Sequence, residues 1–222
     1  MDPFISSPSA SGPPSEPPWF GEGIAALIAA EPRFAQVALP VPFVAREGGF
    51  RGLLRTICGQ QVSHAAAGAI WRRLSSIPGA LDPAILPEMD DDTLCGLGGL
   101  TRSRAAHARA LARAVVEGTL DFAALPQLAD EAAVAMLTAV KGIGPWTAET
   151  HLVLSELRHD VFPAGDVALA AGAAHMLNLA GRPSPTALRE IARAWTPWRG
   201  VAARMLWHHW LLVTGRPVWD RD

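Results

Sequence analysis

An all-α fold is expected of this chain on three observations. Alanine-rich segments carry apolar residues three and four apart, short Pro/Gly turns separate those segments, and alternating strand patterns are nearly absent. The first helical segment runs over about 50–74 and contains GQQVS, where Ser63 offers a cap if the helix breaks. EMDDD, Glu88–Asp92, reads as a loop and cap into DDTLCGLGGL. The next segment, about 102–117, places Arg102, Arg109 and Arg113 on one face, read as a solvated face. Further segments follow at about 130–140, 145–158, 166–180, 186–195 and 198–213. AQVALPVPFVA, Ala35–Ala45, is the one strand candidate, and its prolines argue against a central strand. Residues 1–17 are Pro/Ser-rich, lack an apolar core behind a basic start, and are expected to be a disordered tail and not a signal peptide.

Composition narrows the class further. The chain has 222 residues, 50% hydrophobic and 18% charged, and no apolar run long enough to cross a bilayer, so a soluble globular protein away from membranes is expected. Cys58 and Cys95 have neither CxxC spacing nor a His/Cys cluster, which argues against a zinc or iron-sulfur site and makes a reducing cytoplasm the simplest compartment. With a formal net charge of -2, the chain lacks the bulk basicity of many nucleic-acid binders. Any affinity for nucleic acid must come from a local site.

VKGIGPWTAE, Val140–Glu149, supplies a candidate for that site. Leu137 and Val140 close one helix, Gly142 and Gly144 permit positive φ, and Pro145 suits the first turn of the next helix. The product is a helix, a tight hairpin and a helix. Backbone N–H groups at such a helix N-terminus can hold a phosphate without a basic patch. A plain αα-corner has the same glycines, so the stretch alone leaves both readings open.

ICGQQVS (Ile57–Ser63), LTAVKGIGPWTAE (Leu137–Glu149), DVFPAGDVAL (Asp160–Leu169) and WTPWRGVAARMLW (Trp195–Trp207) together discriminate between them. In their order and spacing the chain resembles the helix-hairpin-helix DNA glycosylase superfamily, most closely the 3-methyladenine DNA glycosylase II branch, over roughly Trp19 to Trp219. The resemblance implies two helical subdomains with a cleft between them. One lobe is formed by about 50–140, the other by 18–49 with 145–222, and the hairpin, 137–149, joins them at the cleft. It implies base-excision repair of double-stranded DNA, with hydrolysis of the N-glycosidic bond of flipped-out alkylated bases of the 3-methyladenine and 7-methylguanine type, by a monomer in the bacterial nucleoid.

The same resemblance distributes roles among residues. Asp166 is the catalytic carboxylate, and it is also well placed to cap the helix that follows it. An alkylated base is cationic and already a good leaving group. One carboxylate facing the developing oxocarbenium charge is therefore enough, a smaller set than the carboxylate pair of ordinary glycosidases. Trp146 and Trp207 flank the base pocket, where each ring contributes roughly 0.5–2 kcal/mol of cation-π attraction. Thr150 stands where a well-known relative carries tyrosine, a residue this chain lacks altogether. Trp195, Trp198 and Trp210 are expected to be packing residues. Gln61 is the wedge that fills the gap left by the flipped base, with Gln60 beside it and Ser63 closing the stretch. Gly142, Ile143, Gly144 and Lys141 form the DNA-binding hairpin. Carbonyls of Thr138, Val140 and Ile143 are the positions at which relatives bind a monovalent cation, Na+ or K+; no other cofactor is expected.

Bifunctional relatives carry a nucleophilic lysine where this chain has Trp146, and the only lysine here is Lys141, so a monofunctional enzyme is expected. Two alternatives stay open on sequence: a catalytically silent lesion-binding module of the same fold, and a glycosylase for other damaged bases.

Overall fold

The computed structural model describes residues 16–215, so most of the proline-rich tail and the stretch that includes Trp219 lie outside the described residues. The described chain is helical, with no β-strand among those residues. Nine α-helices run α1 Pro18–Ala30, α2 Gly49–Cys58, α3 His64–Ser75, α4 Arg102–Val116, α5 Asp130–Thr138, α6 Pro145–Leu154, α7 Val167–Met176, α8 Pro185–Ala192 and α9 Arg199–Val213, counted among the described residues. None of them is long and apolar enough to cross a membrane.

Four of the nine described helices start at a side-chain cap. Ser63, Thr101, Asp166 and Ser184 each accept a backbone N–H from the first turn of α3, α4, α7 and α8. Two segments stop short of the sequence expectation because non-glycine residues turn left-handed: Leu157 (φ 56) after α6 and Asn178 (φ 52) after α7. The segment at 50–74 is two helices, broken by Gln61 at φ 55. The Ala35–Ala45 stretch is no strand: Pro32–Gln36 forms a 3-10 turn and the rest is extended, with Val37 and Val41 buried. Asp90 accepts the Thr93 N–H at 2.8 Å and so caps the wide turn Asp92–Leu97.

Helix α1 is absent from the sequence reading. Its 13 residues include two glycines and begin at a proline, yet Phe20, Gly23 and Leu27 line one face and are buried. That face lies on α9, which in turn packs along α7; α2 packs on α4 and α3, and α6 touches both α5 and α2. The N-terminal helix thus belongs with the C-terminal ones. Arg204, 2% exposed on α9, ties them to the middle of the chain. Its guanidinium donates to the carbonyls of Val44 and Val153 and lies 4.8 Å from the Phe43 ring centre. Burial pushes this side chain down to about 10, with nearby Arg46 adding to the effect.

Candidate active site

Between α5 and α6 the chain turns in a hydrogen-bonded hairpin, with Val140 N–H donating to Leu137 O at 3.2 Å and Ile143 N–H to Val140 O at 3.1 Å. The two glycines do different work. Gly142 has φ +94, and a Cβ there would run into the His107 ring of α4. Gly144, expected to share that conformation, has φ -86 instead; it is the N-cap of α6, with no side chain closing the helix end and nothing within 4 Å of a Cβ. The start of α6 is therefore unobstructed, an arrangement that suits an anion. Lys141 is exposed at this turn, whereas the Ile143 side chain is buried, so only the backbone of Ile143 can meet a ligand.

Asp166 stands at the start of α7, half-buried, with both oxygens engaged. Oδ1 accepts the Leu169 N–H at 2.8 Å and the Trp207 indole N–H at 3.1 Å, and Oδ2 accepts the Trp146 indole N–H at 2.8 Å. Three elements thus fix one carboxylate: its own helix, α6 through Trp146 and α9 through Trp207. Thr150 lies one turn beyond Trp146 on α6, buried, its hydroxyl without a hydrogen-bond partner among the described residues.

The DVFPAGD loop is held by the tail motif. Asp160 accepts the Arg199 backbone N–H at 3.1 Å and its guanidinium at 2.9 and 2.8 Å, and Phe162 packs edge-on against Trp195. Trp195 is buried, and Trp198 stacks obliquely on His159. Trp210 faces a groove along α7 beside His175.

Gln60 and Gln61, adjacent in sequence, point in different directions. Gln61 is exposed, while Gln60 Nε2 donates to Gly142 O at 3.0 Å and to Thr147 Oγ1 at 3.4 Å. Ser63 spends its hydroxyl on the cap of α3, accepting from Ala66 N at 3.3 Å. Of the arginine trio on α4, Arg109 is occupied by the Met89 carbonyl and Asp91. Thr138 turns its hydroxyl back to Val134 O at 2.8 Å.

Sequence reasoning named Trp146, Asp166 and Trp207 and missed how they join. The indole-to-carboxylate bonds carry no spacing signal, because Trp146, Asp166 and Trp207 come from three helices. Arg46, which the sequence reading did not single out, carries an exposed side chain whose charge is nonetheless partly desolvated. That desolvation lowers its pKa, Arg55 lowers it further and Asp166 raises it.

An anion-ready hairpin set beside a carboxylate that two indoles hold defines a nucleic-acid-processing class of site. The family model for "HhH-GPD superfamily base excision DNA repair protein" matches residues 54–197, and the chain belongs to that family. It is 29% identical over 162 residues to DNA-3-methyladenine glycosylase 1 of Schizosaccharomyces pombe, covering 71% of each chain. YfjP of Bacillus subtilis is 30% identical over 125 residues, 56% of this chain, and the match spans 43% of that relative's length. Among solved structures, a Schizosaccharomyces pombe 3-methyladenine DNA glycosylase in complex with abasic DNA superposes with a TM-score of 0.75 at 25% identity, covering 88% of this chain and 97% of that one.

Proposed function

We propose that this protein is a monofunctional DNA-3-methyladenine glycosylase, acting as a monomer on alkylated bases flipped out of duplex DNA. The observation that carries the reading is the Asp166 carboxylate fixed by Leu169, Trp146 and Trp207. A carboxylate whose oxygens accept three N–H groups is held in one orientation and is suited to face a developing positive charge. Charge stabilisation by a preoriented group is the main requirement when the leaving base is already cationic. The hairpin amides supply the phosphate grip, and Gln61, exposed at the tip of its turn, takes the place of the extruded base. The names of the relatives support alkylated purines as the substrate class. Na+ or K+ at the hairpin fits a donor set of neutral carbonyl oxygens on Thr138, Val140 and Ile143, since Val140 O, which accepts one N–H, retains a second lone pair. Such an ion would add positive charge beside a DNA phosphate.

The test is base release from methylated duplex DNA with wild type and Asp166→Asn. Asparagine still caps α7, so the fold is expected to survive. Wild type releases 3-methyladenine and leaves an intact abasic strand with no borohydride-trapped adduct. Asp166→Asn keeps lesion binding within a few-fold and loses about 10²–10³ in single-turnover rate. Near wild-type release by the folded variant overturns the assignment.

A further inference from the structure

The paired glutamines at the end of α2 divide the work of one turn. Gln61 adopts φ 55, rare for a residue with a side chain, and projects outward beside the half-exposed Val62. Gln60 turns inward instead. Its Nε2 reaches Gly142 O at 3.0 Å and Thr147 Oγ1 at 3.4 Å, and its own carbonyl accepts from the Arg104 guanidinium. These two acceptors bracket Gly144 and Trp146, the first being the uncapped helix end and the second a donor to the Asp166 carboxylate. From α4, Arg104 holds the wedge turn and His107 fills the space beside Gly142, so one helix backs both turns.

From this juxtaposition we propose that Gln60 is a positioning residue, a tie that fixes the wedge turn carrying Gln61 to the hairpin. Through it the grip on phosphate and the insertion of the wedge occur as one rigid event. An amide suits the task because its N–H₂ offers two donors to two acceptors on either side of the hairpin apex. Without the tie, the left-handed conformation of Gln61 loses a support, and the wedge can fluctuate while the hairpin stays bound to DNA. The proposal rests on the glycosylase reading with Gln61 as wedge, and its consequence differs from that of a direct DNA contact: the effect of Gln60 must pass through Gln61.

The experiment compares wild type, Gln60→Ala, Gln60→Glu, Gln61→Ala and the Gln60→Ala/Gln61→Ala double variant. Three measurements are made: affinity for undamaged duplex, affinity for duplex carrying a tetrahydrofuran abasic analogue, and single-turnover base release from methylated duplex. Gln60→Ala is expected to bind undamaged duplex within about twofold of wild type and to lose about tenfold on the abasic analogue and in base release. The double variant should be no worse than the poorer single variant, because the two residues act in series. Gln60→Glu gives an independent reading should Gln60→Ala fail to fold. At pH 8 its carboxylate opposes the Gly142 carbonyl and cannot donate. As pH falls to about 4, just below the ordinary glutamate pKa of about 4.3, protonation restores one O–H donor, so its abasic-analogue affinity relative to wild type should recover, which alanine cannot match.

Wild-type behaviour of Gln60→Ala beside a defective Gln61→Ala overturns the tie alone, as do multiplying losses in the double variant or a Gln60→Glu defect that ignores pH. A Gln61→Ala variant with no defect overturns the wedge assignment and the tie with it. Absence of base release by wild type would sink the glycosylase reading, while the abasic-analogue affinities still decide the tie.

Discussion

Asp166 shows how two roles fit on one side chain. As the N-cap of α7 it gives Oδ1 to Leu169 N–H, and the same carboxylate accepts the indoles of Trp146 and Trp207. The tryptophans therefore do more than present aromatic faces to a base: their N–H edges hold the carboxylate in its position. Replacing Trp146 by Phe separates the two contributions, since the ring is kept and the donor is lost. A hydrogen bond to a charged group contributes about 1.5–3 kcal/mol. Base release by Trp146→Phe should accordingly drop by about tenfold or more, with little change in affinity for lesion DNA and a lower melting temperature. An unchanged single-turnover rate would show that the indole bond does not position the carboxylate.

Within the hairpin, the two glycines differ in what they touch, and the proposed phosphate grip predicts different effects for their substitution. Gly142→Ala must accommodate a Cβ against His107 at φ +94, and a strained backbone of this kind costs about 1–3 kcal/mol before any clash is counted. That variant should melt lower. Gly144→Ala meets nothing within 4 Å in the protein and has an ordinary φ, so its stability should be that of wild type. Its methyl group instead stands where a phosphate would approach, and affinity for damaged and undamaged duplex should fall alike, with base preference unchanged. Filter binding and thermal melting on the two variants check the division. A destabilised Gly144→Ala with intact DNA affinity would reverse it.

Across the whole molecule, the seam between α7 and α9 carries both the Asp166 carboxylate with its Trp207 partner and a histidine pair. His175 Nδ1 lies 3.0 Å from His209 Nε2. Burial lowers the His209 pKa from 6.5, with His175 and His208 adding to the shift, and burial likewise lowers His208 against a smaller opposing effect of Ala38 O. For groups with a depressed folded pKa, the contribution to stability is present above 6.5 and lost as pH falls through the folded value, because the unfolded chain binds the proton more readily. Glu149, raised from 4.5 by burial against the opposing effect of Arg189, acts in the reverse sense: its contribution is present below 4.5 and lost as pH rises. The histidine effect is therefore read as a difference. Melting temperature should fall between about pH 7 and pH 5, and fall less steeply in His209→Gln. Parallel pH curves for the two proteins would remove the histidine pair from the account.

Sequence alone made the helical class, the hairpin and most helix starts legible, because these are local. Period, caps and turn residues act within a few positions, as at Ser63, Thr101, Pro145 and Asp166. It also brought the residues of the site into view through motifs, without showing how they meet. Helix α1 escaped because its apolar face is sparse and gains stability from α9, a partner far along the chain. Packing between helices turns Gln60 inward and Gln61 out, sets Gly142 at positive φ against His107 and leaves Gly144 open at the start of α6. The tertiary structure alone brought two indole N–H groups to Asp166. Those facts depend on contacts between helices whose positions are set by packing, and a hydrogen bond between residues far apart in the chain leaves no period in the sequence to read.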